Sequence, residues 1–154
     1  MFIWDARNGA SIMKLSAGEQ SERVTALDWS PDGRYLASGI LNANEFSGIT
    51  VVWDTESGRS KPLSPDHKSW IEMIRWTPHA GGFITASEDA VMLRDLKQPE
   101  PLLALQTIEG YIGIHNLTWL SDVSLMATSS YDTVVEWNIS SRQPVRISDG
   151  ADIA

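Results

Sequence analysis

The sequence contains no cysteine in 154 residues, which excludes a disulfide framework and a thiolate zinc site. Basic residues are scarce, with 12 Lys and Arg against 20 Asp and Glu and a formal net charge of -8. That balance argues against a reader of nucleic-acid backbones or anionic membranes, unless the basic residues gather on one face. No stretch approaches the roughly 18 consecutive apolar residues of a membrane span. The N-terminal segment MFIWDARNGAS lacks a basic region followed by an apolar run, so no secretory signal is read there and a cytoplasmic protein is expected. Helical periodicity is absent as well. Phe and Tyr are few, three of each, yet there are seven Trp, which points to an architectural reason for Trp to recur.

Six of the seven tryptophans fall into two interleaved series. One is Trp4, Trp53 and Trp137, in IWD, VWD and EWN, with Arg94 of LRD in the same slot; the steps are 49, 41 and 43 residues. The other is Trp29, Trp76 and Trp119, in ALDWSPDG, MIRWTPHA and NLTWLSDV, with steps of 47 and 43. The underlying period is about 42, with about six extra residues in the first unit, and each unit divides into four short strands. The first unit reads as Val24–Trp29, Tyr35–Ser38, Ile49–Asp54 and Lys61–Leu63. The second reads as Trp70–Trp76, Phe83–Ser87, Ala90–Asp95 and Leu102–Leu105, and the third as Ile114–Trp119, Leu125–Ser129, Thr133–Asn138 and Val145–Ile147. Pro and Gly in Ser30-Pro31-Asp32-Gly33 and Thr77-Pro78-His79-Ala80-Gly81-Gly82 mark hairpin turns. A period of 40–45 residues with four strands per unit is the signature of propeller blades.

These residues resemble the WD-repeat β-propeller family, whose typical repeat runs from Gly-His through a V-x-x-V-x-W/F strand and S-P-D-G to a third strand ending in Trp-Asp. The first unit supplies Val24, Leu27, Trp29, Ser30-Pro31-Asp32-Gly33, Ala37-Ser38-Gly39 and Trp53-Asp54; the second, Ile71, Ile74, Trp76, Ser87, Asp89 and Asp95; the third, Ile114, Leu117, Trp119, Asp132 and Trp137. The resemblance implies an all-β fold of four-stranded antiparallel blades. The chain divides into a half blade over 1–16, of third and fourth strands, and blades over 24–63, 70–105 and 113–148. A family propeller of about seven blades takes about 280 to 320 residues, so the ring is not closed within the chain and both ends look cut. The expected neighbours are missing blades, in the same or another polypeptide. A homodimer is the rival, because two copies sum to seven blades. The strand count opposes it, since each junction would hold third and fourth strands but no first and second.

The resemblance further implies a buried network joining a His, a strand-two Ser or Thr, a turn Asp and the strand-three Trp. The candidates are His67, Ser87, Asp89, Asp132, Trp53 and Trp137. Gln20 and Gly110 stand at the His position of the first and third units, Arg94 at the Trp position of the second, and Glu136 and Asn138 depart from the pattern beside Trp137.

No enzymatic activity, metal or cofactor is expected. His67, His79 and His115 show no metal-ligand spacing, no G-x-S-x-G elbow is present, and no Gly-rich phosphate loop occurs. The only seed of a polar channel cluster is His115 with Asp28 or Glu72. The expected function is a non-catalytic scaffold that binds a protein or peptide. The resemblance places the binding surface on the face shared by the fourth-to-first and second-to-third strand loops. Asn44, Glu45 and Phe46 of the expanded loop 41–48, with Trp70, Tyr111 and Tyr131, are the partner-binding candidates, because exposed aromatics on a rigid scaffold are frequent hot spots. Glu45, Asp66, Glu88, Asp89, Glu109 and Asp132 fall on the same face and suit a basic partner segment. The alternative is a structural segment of a larger regulatory propeller, whose main partners are the missing blades.

Overall fold

The computed structural model describes residues 1–16, 22–42, 47–64, 67–79, 81–88, 90–105, 114–129, 133–141 and 143–149. Regular structure among them is β-strand throughout, and none of it is a helix long and apolar enough to cross a membrane. Strands β1 (Phe2–Trp4) and β2 (Ser11–Lys14) form a two-stranded sheet. The next sheet holds β3 (Glu22–Trp29), β4 (Tyr35–Asn42), β5 (Ser47–Asp54) and β6 (Ser60–Pro62). It is followed by β7 (Met73–Trp76), β8 (Phe83–Ala86), β9 (Val91–Arg94) and β10 (Leu103–Leu105), and then by β11 (Ile114–Trp119), β12 (Ser124–Ser129), β13 (Thr133–Asn138) and β14 (Gln143–Asp149). In every sheet sequence neighbours are space neighbours and all pairs are antiparallel. These are the blades of a propeller whose ring the described residues do not close.

The turns explain why the chain reverses where it does. Ser30 Oγ donates to Asp32 Oδ1 at 2.6 Å and accepts from the Tyr35 amide at 2.8 Å. Gly33, with a φ of 72°, takes the left-handed step between them. The Ser30 hydroxyl, and then the Arg34 amide, hold the Asp32 carboxyl below the usual carboxylate range. The residue closing each third strand caps the next turn: Asp5, Asp54, Asp95 and Asn138 accept the backbone N–H of Arg7, Glu56, Lys97 and Ser140 at 2.9, 3.0, 2.9 and 3.0 Å. Asn138 therefore departs from Asp in charge alone, since its amide oxygen accepts the same bond. Glu136 likewise finds a partner in its own blade, accepting from the Ser124 hydroxyl.

The core lies between sheets rather than within one. Alternation on β5 sends Val51 and Trp53 toward the two-stranded sheet, where they pack with Leu15, Leu36 and Ile40, and sends Val52 the other way. On that other side Val52 and Ala37 meet Ile71, Ile74, Trp76 and Phe83. A third cluster joins Ile84, Ala86 and Val91 to Ile114, Leu117 and Leu125. Each fully buried side chain of this size contributes about 1.5–3 kcal/mol, so stability resides in the seams.

The expected expansion at 41–48 is not simply a loop. β4 continues to Asn42 and β5 begins at Ser47, with Leu41 opposite Gly48 and Asn42 opposite Ser47. The extra residues lengthen the hairpin, because continued pairing satisfies backbone groups that a loop would leave to water.

Candidate functional site

The second and third four-stranded sheets both begin with a strand whose end Trp looks across a seam. The Trp76 backbone N–H donates to Asp28 Oδ2 at 2.8 Å and its indole Nε1–H to the Asp28 carbonyl at 2.9 Å. Tyr35 stacks on the ring from the first side, centroids 6.3 Å apart, and Phe83 meets it at 5.0 Å. Asp28 is thus engaged in joining two blades. Of the expected polar seed of His115 with Asp28 or Glu72, the Asp28 carboxylate accepts the Trp76 N–H and His115 stands on β11.

Behind this seam lies the polar network. His67 is buried, with Nε2 2.8 Å from Thr85 Oγ1 and Nδ1 2.7 Å from Ser87 Oγ. Arg94, also buried, donates from Nε to the same Thr85 oxygen at 3.2 Å. In the preceding blade Trp53 Nε1 donates to Ser38 Oγ at 2.9 Å. Thr85 and Ser38 are equivalent, each two residues beyond the partner of the strand-three residue, since Leu36 faces Trp53 and Phe83 faces Arg94. An arginine can therefore take the place of the tryptophan: what the strand-two hydroxyl requires is an N–H donor. Sequence reasoning named His67 and Ser87, which the structure brings together, but missed Thr85. In the third blade Trp137 is buried and Ala127 occupies the hydroxyl position. Asp89 and Asp132 lie outside the described residues.

The loop carrying His67 continues to Trp70. Gly48 donates its N–H to the His67 carbonyl at 3.3 Å, and a Cβ on Gly48 would lie 2.5 Å from the Ser69 carbonyl oxygen and 2.9 Å from Ile71 Cγ1. Backbone thus passes backbone at a distance only glycine permits. Gly48→Ala is expected to lower stability by about 1–3 kcal/mol through overpacking, measured by urea denaturation; a change within experimental scatter would mean that the loop gives way freely. Ser69 Oγ donates to Glu88 Oε2 at 3.4 Å, which ties the fourth-to-first loop to the second-to-third turn on one face.

On that face Trp70 is 43% exposed. It lines a groove of about 480 Å³ with Arg23, Val24, Thr25, Leu41 and Glu72. Val24 and Leu41 give an aliphatic wall, the indole a flat one, and Arg23 and Glu72 add charges of both signs. Of the other partner-binding candidates, Asn44, Glu45, Phe46, Tyr111 and Tyr131 fall outside the described residues. Among the described residues no cluster of His, Asp and Glu is arranged to hold a metal ion.

The family model for "WD domain, G-beta repeat" matches residues 9–54. The fold is that of solved propellers. A chain of the mitotic checkpoint complex superposes with a TM-score of 0.79 at 21% identity, covering 96% of this chain and 44% of that one. The Cps50 (Swd1) beta-propeller domain of Myceliophteria thermophila superposes with a TM-score of 0.78 at 19% identity, covering 96% and 48%. The chain thus carries a WD-repeat match over residues 9–54 and has the β-propeller fold. Among its relatives, Cell division cycle 20.1, cofactor of APC complex, from Arabidopsis thaliana is 26% identical over 138 residues, which is 88% of this chain and 28% of that protein. Protein tipD of Dictyostelium discoideum is 38% identical over 68 residues, 42% of this chain and 10% of that protein. The chain spans about three tenths of the length of the cell-division-cycle relatives it matches.

Proposed function

We propose that this chain is a non-catalytic protein-interaction scaffold that holds an extended peptide segment in the groove beside Trp70. The observation that carries the reading is the exposed indole on a loop fixed from behind by the Gly48–His67 bridge and the Ser69–Glu88 bond. A large ring held over an aliphatic wall has little entropy to lose on binding, as hot-spot aromatics require. Relatives named as cofactors of the APC complex support a binding role. The net charge of -8 supports a partner segment carrying Lys or Arg beside an apolar residue.

Trp70→Ala is expected to weaken such peptides by about tenfold or more, while leaving the unfolding midpoint within scatter because the ring is exposed. The measurement is fluorescence titration with labelled peptides of alternating Lys and Leu, and with Glu-and-Leu peptides as the control. Equal affinities for the wild-type chain and the variant would remove Trp70 from the site. Preference for the acidic peptides would reverse the expected partner charge.

A second reading, a structural segment whose partners are further blades, is favoured by the exposure of Phe2, Trp4, Leu27 and Trp29.

A further inference from the structure

The two seams between four-stranded sheets are built from matching positions, and the second is left unfilled. Ser30 donates its N–H to the Tyr35 carbonyl at 2.8 Å, and Thr77 donates its N–H to the Gly82 carbonyl at 2.9 Å. Gly82 therefore stands in the second sheet where Tyr35 stands in the first. Register agrees: Leu36, next to Tyr35, faces Trp53, and Phe83, next to Gly82, faces Arg94. Trp76 and Trp119 are likewise counterparts, each closing the first strand of its sheet. In the first seam the Tyr35 ring stacks on Trp76, and the Trp76 indole N–H donates to the Asp28 carbonyl. In the second seam Gly82 has no ring to offer Trp119, and the buried Trp119 indole N–H has no partner among the described residues.

The result is a recess of about 240 Å³. Trp119 and Ile139 line it from one sheet, and Gly82, Leu93 and Leu102 from the other. His79 and Asp122, both exposed and 2.9 Å apart, bridge its two sides. The chain cannot fill the recess from Gly82, because a Cβ there would collide with the Arg94 carbonyl. Size narrows what can. Stand-alone small molecules usually occupy about 300–1,000 Å³, whereas an apolar cavity of about 150 Å³ already holds a benzene. A recess between these sizes, walled by Leu, Ile and Trp, suits a single ring used as an anchor.

We propose that this recess receives a tyrosine side chain of a partner polypeptide. The ring lies against Trp119 as Tyr35 lies against Trp76, and a main-chain carbonyl of the partner accepts the indole N–H as the Asp28 carbonyl does. Aromatic pairs gain beyond the area they bury, and an acceptor for the buried N–H removes its desolvation penalty. An aliphatic side chain would fill the space without the first gain. The recess opens beside exposed His79 and Asp122 and half-exposed Leu102, so the phenol hydroxyl keeps its water. No lining residue is shared with the groove at Trp70, and the inference stands or falls without that groove.

The test is titration of the whole chain with N-acetyl-L-tyrosinamide, which carries the ring between two amide groups. The readout is the NMR signal of the Trp119 indole N–H, assigned by its loss in Trp119→Phe. A saturable shift with a Kd of about 1 mM is expected, the scale of one anchoring ring. N-acetyl-L-leucinamide should bind about fivefold more weakly or worse, for want of the aromatic contact. p-Cresol, the ring alone, should bind about fivefold more weakly, the equivalent of one hydrogen bond. Gly81→Tyr in the chain should weaken N-acetyl-L-tyrosinamide by about tenfold or more. A Cβ on Gly81 meets nothing within 4 Å, and the new ring occupies the recess from within the chain. Leu102→Glu, at a half-exposed position, is the second blocking variant. Unfolding midpoints check that both keep their fold, and Trp70→Ala should change nothing. No saturable shift overturns the proposal, as does binding indifferent to both blocking variants or equal affinity for the leucine probe. p-Cresol binding as tightly as N-acetyl-L-tyrosinamide overturns the polypeptide partner in favour of a free phenol.

Discussion

Trp76→Ala is expected to remove about 3–5 kcal/mol of stability, the usual cost of deleting a large aromatic from a well-packed interior. The ring is buried between Tyr35 and Phe83, and the residue carries two hydrogen-bond donors that reach Asp28 across the seam, one from the main chain and one from the indole. The cost falls on two blades at once, because the cluster around Trp76 includes Ala37 and Val52 from the preceding sheet. Trp76→Phe separates the contributions. It keeps most of the packing and deletes only the indole N–H, which should cost about 1 kcal/mol for the hydrogen bond. Urea denaturation followed by circular dichroism measures both. A loss below about 1 kcal/mol for Trp76→Ala would mean that the seam contributes little to holding the array together.

The second large effect is expected at His67. His67→Ala removes a buried ring that bridges two hydroxyls on one hairpin, Thr85 near its Nε2 and Ser87 near its Nδ1. Thr85 keeps its bond from Arg94, but Ser87 loses the imidazole, and a cavity opens beneath the loop that presents Trp70. Cavity and lost hydrogen bonds together should cost about 2–4 kcal/mol. The decisive control is Thr85→Val, made singly and together with His67→Ala. Effects that add fully would show that ring and hydroxyl act independently; a double variant less destabilised than the sum would show the coupling that the geometry requires.

Much of this architecture was legible in the residues. The strands at Ile114–Trp119 and Thr133–Asn138 carry their own alternation, and the Ser-Pro-Asp-Gly turn carries its own chemistry, so local pattern sufficed. Trp70 was visible as a candidate aromatic, though β7 begins only at Met73 and leaves Trp70 on the loop. What local pattern could not show is whatever depends on register or on a second blade. Thr85 becomes the partner of Arg94 only once Phe83 is known to face Arg94. Aligning it with Ser38 across the two repeats would have found it. Asp28 and Trp76 are 48 residues apart, and no period links their types. Asn138 looked like a departure because the motif is written as Asp, whereas the turn asks for an oxygen acceptor. The extension of β4 and β5 was hidden because Asn42, Asn44, Ser47 and Gly48 have the composition of a loop. Leu41, Asn42, Ser47 and Gly48 pair by position rather than by propensity.

The two seams between four-stranded sheets differ in their polar links among the described residues. Across the first, Trp76 holds Asp28 twice, Lys61 Nζ donates to the Leu96 carbonyl at 2.8 Å and Ser64 donates its N–H to the Pro99 carbonyl at 3.2 Å. Across the second, the guanidinium of Arg75 turns back to the Ile74 carbonyl of its own strand, and the Trp119 indole N–H is buried without a partner among the described residues. The polar link described there is the exposed pair of His79 and Asp122, 2.9 Å apart, and exposed pairs of that kind contribute about 0–1 kcal/mol. Polar links are therefore unevenly distributed among the described residues of the array. Among the described residues the seam beside Trp119 is held by its apolar cluster and by a surface clasp that salt would loosen, whereas the seam beside Trp76 carries buried polar links that salt leaves in place.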